Sequence, residues 1–203
     1  MPYLMNGDAA NIKSNHRHLG YIKSSNLCLE IIEYTDEKTV AVCNLHSLSL
    51  RMFAKGPYRG SLTEAIDFSL LAKMAQRVTL NLNQVIDHNW YPLDKRDSEG
   101  NLVKAKVINL SNKRHRPVGM GVSGFAELLH ILDLPFQDPQ VSLINKALFA
   151  CIYWNALAQS VQLSLQDGCY ETFPGSPTSE GKLQFDLWRE EFLQLGPNAA
   201  RSY

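Results

Sequence analysis

Asn26, Cys28 and Glu30 stand two residues apart in the stretch SSNLCLEIIEYTDEKTVAVCNL, residues 24–45, and Cys43 follows near its end. With an amide and a carboxylate beside two thiols, a disulfide, a metal site, core packing and a reactive thiol are all possible at the outset. If the chain is extended, residues two apart project to one side, so Asn26, Cys28 and Glu30 form a row about 13–14 Å long. Leu27, Leu29 and Ile31 then face a core. A hairpin closed at TDEK, with Tyr34 opposite Thr39, brings Cys43 opposite Glu30 and diagonal to Cys28 at about 7–8 Å. That is long for a disulfide, whose Cα separation is usually below about 7 Å. A metal needs more ligands than the stretch offers. Packing as two small apolar residues and use as two reactive thiols both stay open. Glu30 weighs against packing alone, because a carboxylate on a buried face needs a partner.

The elements that must hold these residues follow from periodicity. LCLEIIEY, residues 27–34, reads as a strand and TVAVC, 39–43, as a second extended run, with LHSLSLRMFA turning helical after it. A helix is expected over about 61–90, opened by a Ser61/Glu64 capping box, carrying Ile66, Leu70, Leu71, Met74, Val78, Leu82, Val85 and Ile86 at helical spacing, and ended by Pro92. Residues 93–116 are charged and read as a surface excursion. Helices are expected over about 118–134 and 139–166, the latter with Pro139 in its first turn and Gly168 as its stop. A last amphipathic helix begins at FDLWREEFLQL. Helices between short strands indicate an α/β arrangement. Two or three strands cannot close a parallel sheet, and the polar start and the ending GPNAARSY show no terminal element, so a piece of something larger is expected.

The composition is globular: 203 residues, 45% apolar and 20% charged, with 20 basic residues against 20 acidic ones. No net field favours nucleic acid or an anionic membrane. The apolar runs are interrupted before eighteen residues, so no membrane-spanning helix is expected. Four cysteines do not make a disulfide scaffold, and a reducing cytoplasmic setting is the default. GMGVSG, residues 119–124, matches the dinucleotide fingerprint, but SNKRHRPV before it is a poor buried strand, so the glycines read instead as sites of close helix approach. His16 and His18 in HRH have no carboxylate or cysteine at ligand spacing and read as isolated surface histidines. The cluster KRHR, 113–116, reads as solvated or phosphate-binding. Cys151 lies in an apolar helical run and reads as core; Cys169 is given no role.

SNLCLEIIEYTDEKTVAVCNL resembles the active-site segment of the large, catalytic subunit of class I ribonucleotide reductases. KSNHRHLG, RHRPVGMGVSGFAE and YETFPGSPTSEGKLQFDLW resemble further segments of that family in the same order, so the likeness covers nearly the whole chain. It implies part of a ten-stranded α/β barrel, residues 1–203 forming a helix-rich portion whose radical-cysteine loop lies near 24–45. It implies that ribonucleotides are reduced to 2′-deoxyribonucleotides, with Cys28 as the thiyl radical that removes the 3′ hydrogen. Glu30 then takes the 3′-hydroxyl proton, Asn26 hydrogen-bonds the sugar, and Cys43 is half of the redox pair that supplies electrons. Leu29, His46 and Cys169 depart from the residues usual at those places. No cofactor is expected in this chain itself. The radical would come from a metal-containing small subunit and the electrons from an external dithiol, thioredoxin or glutaredoxin. The partner of Cys43, the phosphate-binding loop, the radical relay and the nucleotide-effector sites match nothing here, so they would lie in missing large-subunit segments. No turnover is then expected of this chain alone. Two other readings stand beside this one: a non-catalytic remnant or split-gene piece that associates with other reductase chains, and a nucleotide-binding module using GMGVSG, which requires a strand ending near Val118.

Overall fold

In a computed structural model, described here for residues 3–91, 95–96, 98–100, 102–104 and 107–195, the elements follow in the order α1 (Gly7–Lys13), β1 (Asn44–Ser49), a 3₁₀ turn (Leu50–Phe53), α2 (Leu62–Ala65), α3 (Phe68–His88), β2 (Lys95–Arg96), β3 (Leu102–Lys104), α4 (Val107–His115), β4 (Val118–Ser123), α5 (Phe125–Ile131), α6 (Pro139–Asp167), a second 3₁₀ turn (Pro177–Glu180) and α7 (Gln184–Leu195). The chain divides into two compact units, one of residues 1–43, 89–117 and 170–203, the other of 44–88 and 118–169.

The second unit is a helix pair over a two-stranded parallel sheet. β1 and β4 pair from Asn44 opposite Val118 to Ser49 opposite Ser123. The glycine motif is therefore the strand itself, and the expected helix over 118–134 begins only at Phe125, after Gly124 turns the chain at φ 73°. The nucleotide fingerprint needs its glycines in the turn after a strand, so that reading fails. Gly121 faces Ser47 Oγ of the neighbouring strand, where an added Cβ would make an ordinary contact at 3.6 Å, so the close helix approach expected of this glycine is not found. The helix expected over 61–90 is broken at Ile66. Ser61 makes no side-chain cap, and α3 starts instead at Asp67, whose Oδ1 accepts from Leu70 N at 2.9 Å. α3 buries Leu71, Ala75, Val78, Leu82 and Ile86, while Leu70, Met74 and Val85 stay exposed. Against it α6 sets Val141, Ile144, Leu148 and Ile152, and each fully buried leucine or isoleucine contributes about 1.5–3 kcal/mol. Asp138 caps α6 by accepting from Gln140 N at 2.8 Å, Pro139 starts it and Gly168 ends it at φ 85°, as the sequence indicates. α6 is long and apolar enough to cross a membrane by length and composition alone. Its inner stripe, however, belongs to this core. Its outer side leaves Leu143, Trp154 (71%) and Leu165 (74%) exposed.

The first unit holds α1, α4, α7, the antiparallel β2–β3 pair and the loop of residues 14–43. The stretches 27–34 and 39–43, expected as strands, belong to neither sheet. Among the described residues the sheets are two-stranded, which falls short of the expected ten-stranded barrel. Part of the expected surface excursion is α4, which buries Ser111, Asn112 and His115; Pro92, the expected helix stop, and residues 93–94, 97, 101 and 105–106 of the excursion lie outside the described residues. The amide of Asn112 donates to the hydroxyl of Tyr91.

His16 and His18, expected as isolated surface histidines, are buried and half-buried respectively. His16 is 8% exposed, and its ring lies 5.0 Å from that of His115. Nδ1 of His16 accepts from Tyr34 N at 3.1 Å, His115 Nδ1 pairs with Thr172 Oγ1 at 2.9 Å, and His18 Nε2 pairs with Thr172 O at 2.8 Å. Beside His115, Arg114 pairs with Glu171 at 2.7 Å. Burial, then the charges His115 and His18 would carry, pushes His16 down to about 4 from 6.5. An imidazole neutral in the fold and protonated when unfolded stabilises fully above about pH 6.5, and that stabilisation is lost as pH falls towards 4. The expected slope approaches 1.4 kcal/mol per pH unit for this one proton. Glu33, raised by burial to about 7 from 4.5, acts oppositely: it costs stability as pH rises from 4.5 to 7. The His16 contribution is therefore read as a difference, in thermal melts from pH 7 to 4.5. His16→Gln should lose less stability than the parent as the acid is approached.

Candidate active-site loop

The loop that carries the candidate residues is pinned at its entrance by Asn11. Its side chain donates to Ile22 O at 3.0 Å and accepts from Ile22 N at 2.7 Å, with Ile22 itself buried. From Ser25 the chain closes a small ring. Ser25 Oγ donates to Ile31 O at 2.7 Å, Ile31 N to Asn26 Oδ1 at 3.1 Å, and Leu29 N to Asn26 O at 3.2 Å. The last of these closes a turn with Cys28 at its tip. The extended row of residues is thus corrected: Leu29 sits at φ 65°, a left-handed conformation that breaks strand alternation, and Leu27 is 69% exposed rather than in a core. Asn26, Cys28 and Glu30 are all solvent-exposed on this ring. Asn26 spends its carbonyl oxygen on holding the ring and leaves its NH₂ without a partner among the described residues.

Beyond the ring the chain is held again at Tyr34 by His16. Gly20 lets the Tyr34 ring approach to where a Cβ would meet it at 2.5 Å. Residues 35–41 then fold back. Asp36 N donates to Thr39 O at 2.9 Å, Asp36 Oδ1 accepts from Lys38 N, Thr39 N and Thr39 Oγ1 at 2.7–2.9 Å, and Ala41 N donates to Thr35 Oγ1 at 3.1 Å. Those bonds, led by the one from Lys38, hold the Asp36 carboxyl below its usual range. Val40 N reaches Val107 O at 3.1 Å, which ties the returning strand of chain to the start of α4.

The register of this fold-back differs from the expected hairpin. Thr35 meets Ala41 rather than Tyr34 meeting Thr39. Neither arm forms a strand, so the expected pairing of Cys43 with Glu30 is absent. Burial first, then the charge of Glu33, then that of Glu30, pushes the Cys43 thiol up to about 12 from 9.0. Glu33 is the residue that sequence spacing missed. Its Oε2 is buried and has no hydrogen-bond partner among the described residues, and burial alone raises it to about 7. Cys28 and Cys43 are both free thiols, and Cys28 is not among the groups acting on Cys43. Chemically the loop offers an exposed thiol flanked by an amide donor and a free carboxylate, with a second, half-buried thiol whose proton the charges of Glu33 and Glu30 help to hold. No group of three or more potential metal ligands occurs among the described residues.

A family model described as the ribonucleotide reductase barrel domain matches residues 1–201. The chain is 47% identical over 198 residues to the ribonucleoside-diphosphate reductase large subunit of Trypanosoma brucei brucei, covering 98% of this chain and 21% of that protein. It is 42% identical over 200 residues to the large subunit of Arabidopsis thaliana, covering 92% and 23%. It therefore spans little more than a fifth of the length of such relatives. Among solved structures, the α subunit of an Actinobacillus ureae class Id ribonucleotide reductase superposes with a TM-score of 0.64 at 22% identity, over 90% of this chain and 31% of that one, a likeness of α/β fold.

Proposed function

This chain belongs to the ribonucleotide reductase barrel-domain family, and from that premise we propose that it supplies the radical-cysteine portion of the catalytic barrel of a ribonucleoside-diphosphate reductase large subunit. β1 and β4 are then two neighbouring strands of a ten-stranded barrel whose other strands lie in further large-subunit segments. The observation that carries the reading is the closed ring Ser25–Ile31, which presents Cys28 at an exposed tip between the Asn26 amide and the Glu30 carboxylate.

In this reading a ribonucleotide docks over the ring. The free NH₂ of Asn26 donates to a ribose hydroxyl, and Cys28 as thiyl radical takes the 3′ hydrogen. Glu30 accepts the 3′-hydroxyl proton as the 2′-hydroxyl departs as water. Cys43 and a second thiol from outside this chain supply two electrons and two hydrogens and end as a disulfide, and Cys28 returns the 3′ hydrogen. The net change is ribonucleotide plus two thiols to deoxyribonucleotide, disulfide and water. A metal-containing small subunit would generate the radical. Thioredoxin or glutaredoxin would reduce the disulfide, and nucleotide effectors would bind segments outside this one.

The test is reconstitution. The purified chain with a small subunit, dithiol and labelled ribonucleoside diphosphate is expected to give no deoxynucleotide. Adding polypeptides that carry the remaining large-subunit segments is expected to restore formation. Turnover by the chain with the small subunit alone would overturn the partial-barrel reading. Failure of every reconstituted mixture, with the chain stably bound in it, would favour the non-catalytic remnant.

A further inference from the structure

Two of the bonds that close the ring converge on one residue. Ile31 gives its N–H to Asn26 Oδ1 at 3.1 Å, and its carbonyl takes the Ser25 hydroxyl proton at 2.7 Å. Neighbouring side chains thus hold both backbone groups of Ile31, as an antiparallel strand partner would. The two holds are not alike. Asn26 is exposed, and its amide carries an acceptor and a donor at opposite sides of one group that can turn over. Ser25 is half-buried, and its Oγ also lies 3.3 Å from Asn26 Oδ1. An N–H can be met only by an acceptor, so a closed ring turns the Asn26 NH₂ outward. An open ring leaves the amide free to present either side.

We propose that Ser25 is a positioning residue for the reduction. Its hydroxyl keeps the ring closed, so that Asn26 meets the ribose with its donor side and Cys28 stays at the tip. This rests on the reading of the ring as the radical-cysteine site. Ser25 acts through Asn26 and Ile31 and takes no part in bond making or breaking.

The need for it follows from the magnitudes. Closing the ring from residue 25 to residue 31 costs backbone entropy. Against that cost, one neutral hydrogen bond in an exposed loop shifts the ratio of closed to open ring by only about two- to tenfold. The Asn26 bond alone therefore holds the ring poorly. Without the Ser25 hydroxyl, a substrate that binds only the closed ring binds more weakly in proportion to the closed fraction lost. Saturating substrate closes the ring again, so KM carries the effect and kcat does not. Ser24 supplies the contrast: its hydroxyl donates to Ser25 O at 3.2 Å and does not reach Ile31.

The test has two arms. In the full chain without substrate, exchange of the Ile31 amide hydrogen is followed by NMR. Ser25→Ala is expected to exchange about two- to tenfold faster than the parent. Ser24→Ala, and Ser25→Thr with its hydroxyl kept, are expected to exchange at the parent's rate. In the reconstituted enzyme, Ser25→Ala is expected to raise KM for the ribonucleoside diphosphate by about two- to tenfold, with kcat within about twofold of the parent. Ser25→Thr is expected to restore the parent's KM. Unchanged Ile31 exchange in Ser25→Ala overturns the proposal. Faster exchange with an unchanged KM overturns it too, as does a loss confined to kcat, which would make Ser25 a group acting on the transition state. Failure of the underlying reading shows differently, as a reconstituted parent that itself forms no deoxynucleotide.

Discussion

Cys28→Ser is expected to abolish deoxynucleotide formation in the reconstituted enzyme, by at least about 10⁴-fold, which is more than ~5 kcal/mol of barrier. The physical ground is bond strength. A thiol S–H and an activated ribose C–H are close enough for hydrogen to pass in both directions, whereas a serine O–H is too strong to be opened into a radical by the same partner. The substitution should leave the loop standing. Cys28 is exposed, makes no hydrogen bond among the described residues, and is carried by a ring whose three closing bonds belong to Ser25, Asn26, Leu29 and Ile31. Melting of the variant within about 0.5 kcal/mol of the parent, together with retained binding to the other large-subunit segments, separates lost chemistry from lost fold. Turnover surviving in Cys28→Ser would remove the radical assignment.

The second large effect is expected at Glu30. The carboxylate is exposed and none of the bonds that close the ring passes through it. Glu30→Gln keeps size and polarity but cannot take a proton, and a positioned general base contributes typically about 10²–10⁴-fold. A loss of that size in kcat, with KM for the ribonucleotide changed by less than about threefold, is the expected pattern for a group that acts on the developing transition state rather than on binding. A loss confined to KM would make Glu30 a binding group and move the base elsewhere. The same change removes the lesser of the two charges acting on Cys43, so its thiol should titrate somewhat lower.

Much of the scaffold was legible because its signals are local. Asp138, Pro139 and Gly168 bound α6 with a side-chain cap, a fixed φ and a left-handed stop, all readable within a few residues of the helix ends. The candidate active-site loop was legible in its residue types and in its likeness to a known family, not in its geometry. Leu27 to Tyr34 has the composition of a strand, and nothing in a leucine announces the positive φ that Leu29 adopts to close the turn after Cys28. The register error had a similar origin. TDEK marks a turn, but the choice between a Tyr34–Thr39 pairing and the observed Thr35–Ala41 bond rests on the Asp36 side chain, which takes three donors and shifts the closure. The isolated surface position expected for His16 fails because its ring packs on that of His115 across about 100 positions of sequence, and no spacing rule reports such a distance.

β1 and β4 have one further implication, for the order in which the second unit assembles. They are parallel neighbours, yet residues 50–117 lie between them in sequence. Bringing such distant segments together carries a loop-closure entropy that grows with the logarithm of the intervening length, and it must be met before the pairing bonds return anything. α3 can form first through its own cap and apolar stripe, but its packing on α6 closes a loop just as long, as the Gln76–Asn155 bond shows. The strand pair and the helix pair therefore share the high-contact-order part of folding, in which long-range parallel pairing is slow and leaves strand edges open to wrong partners in the interval.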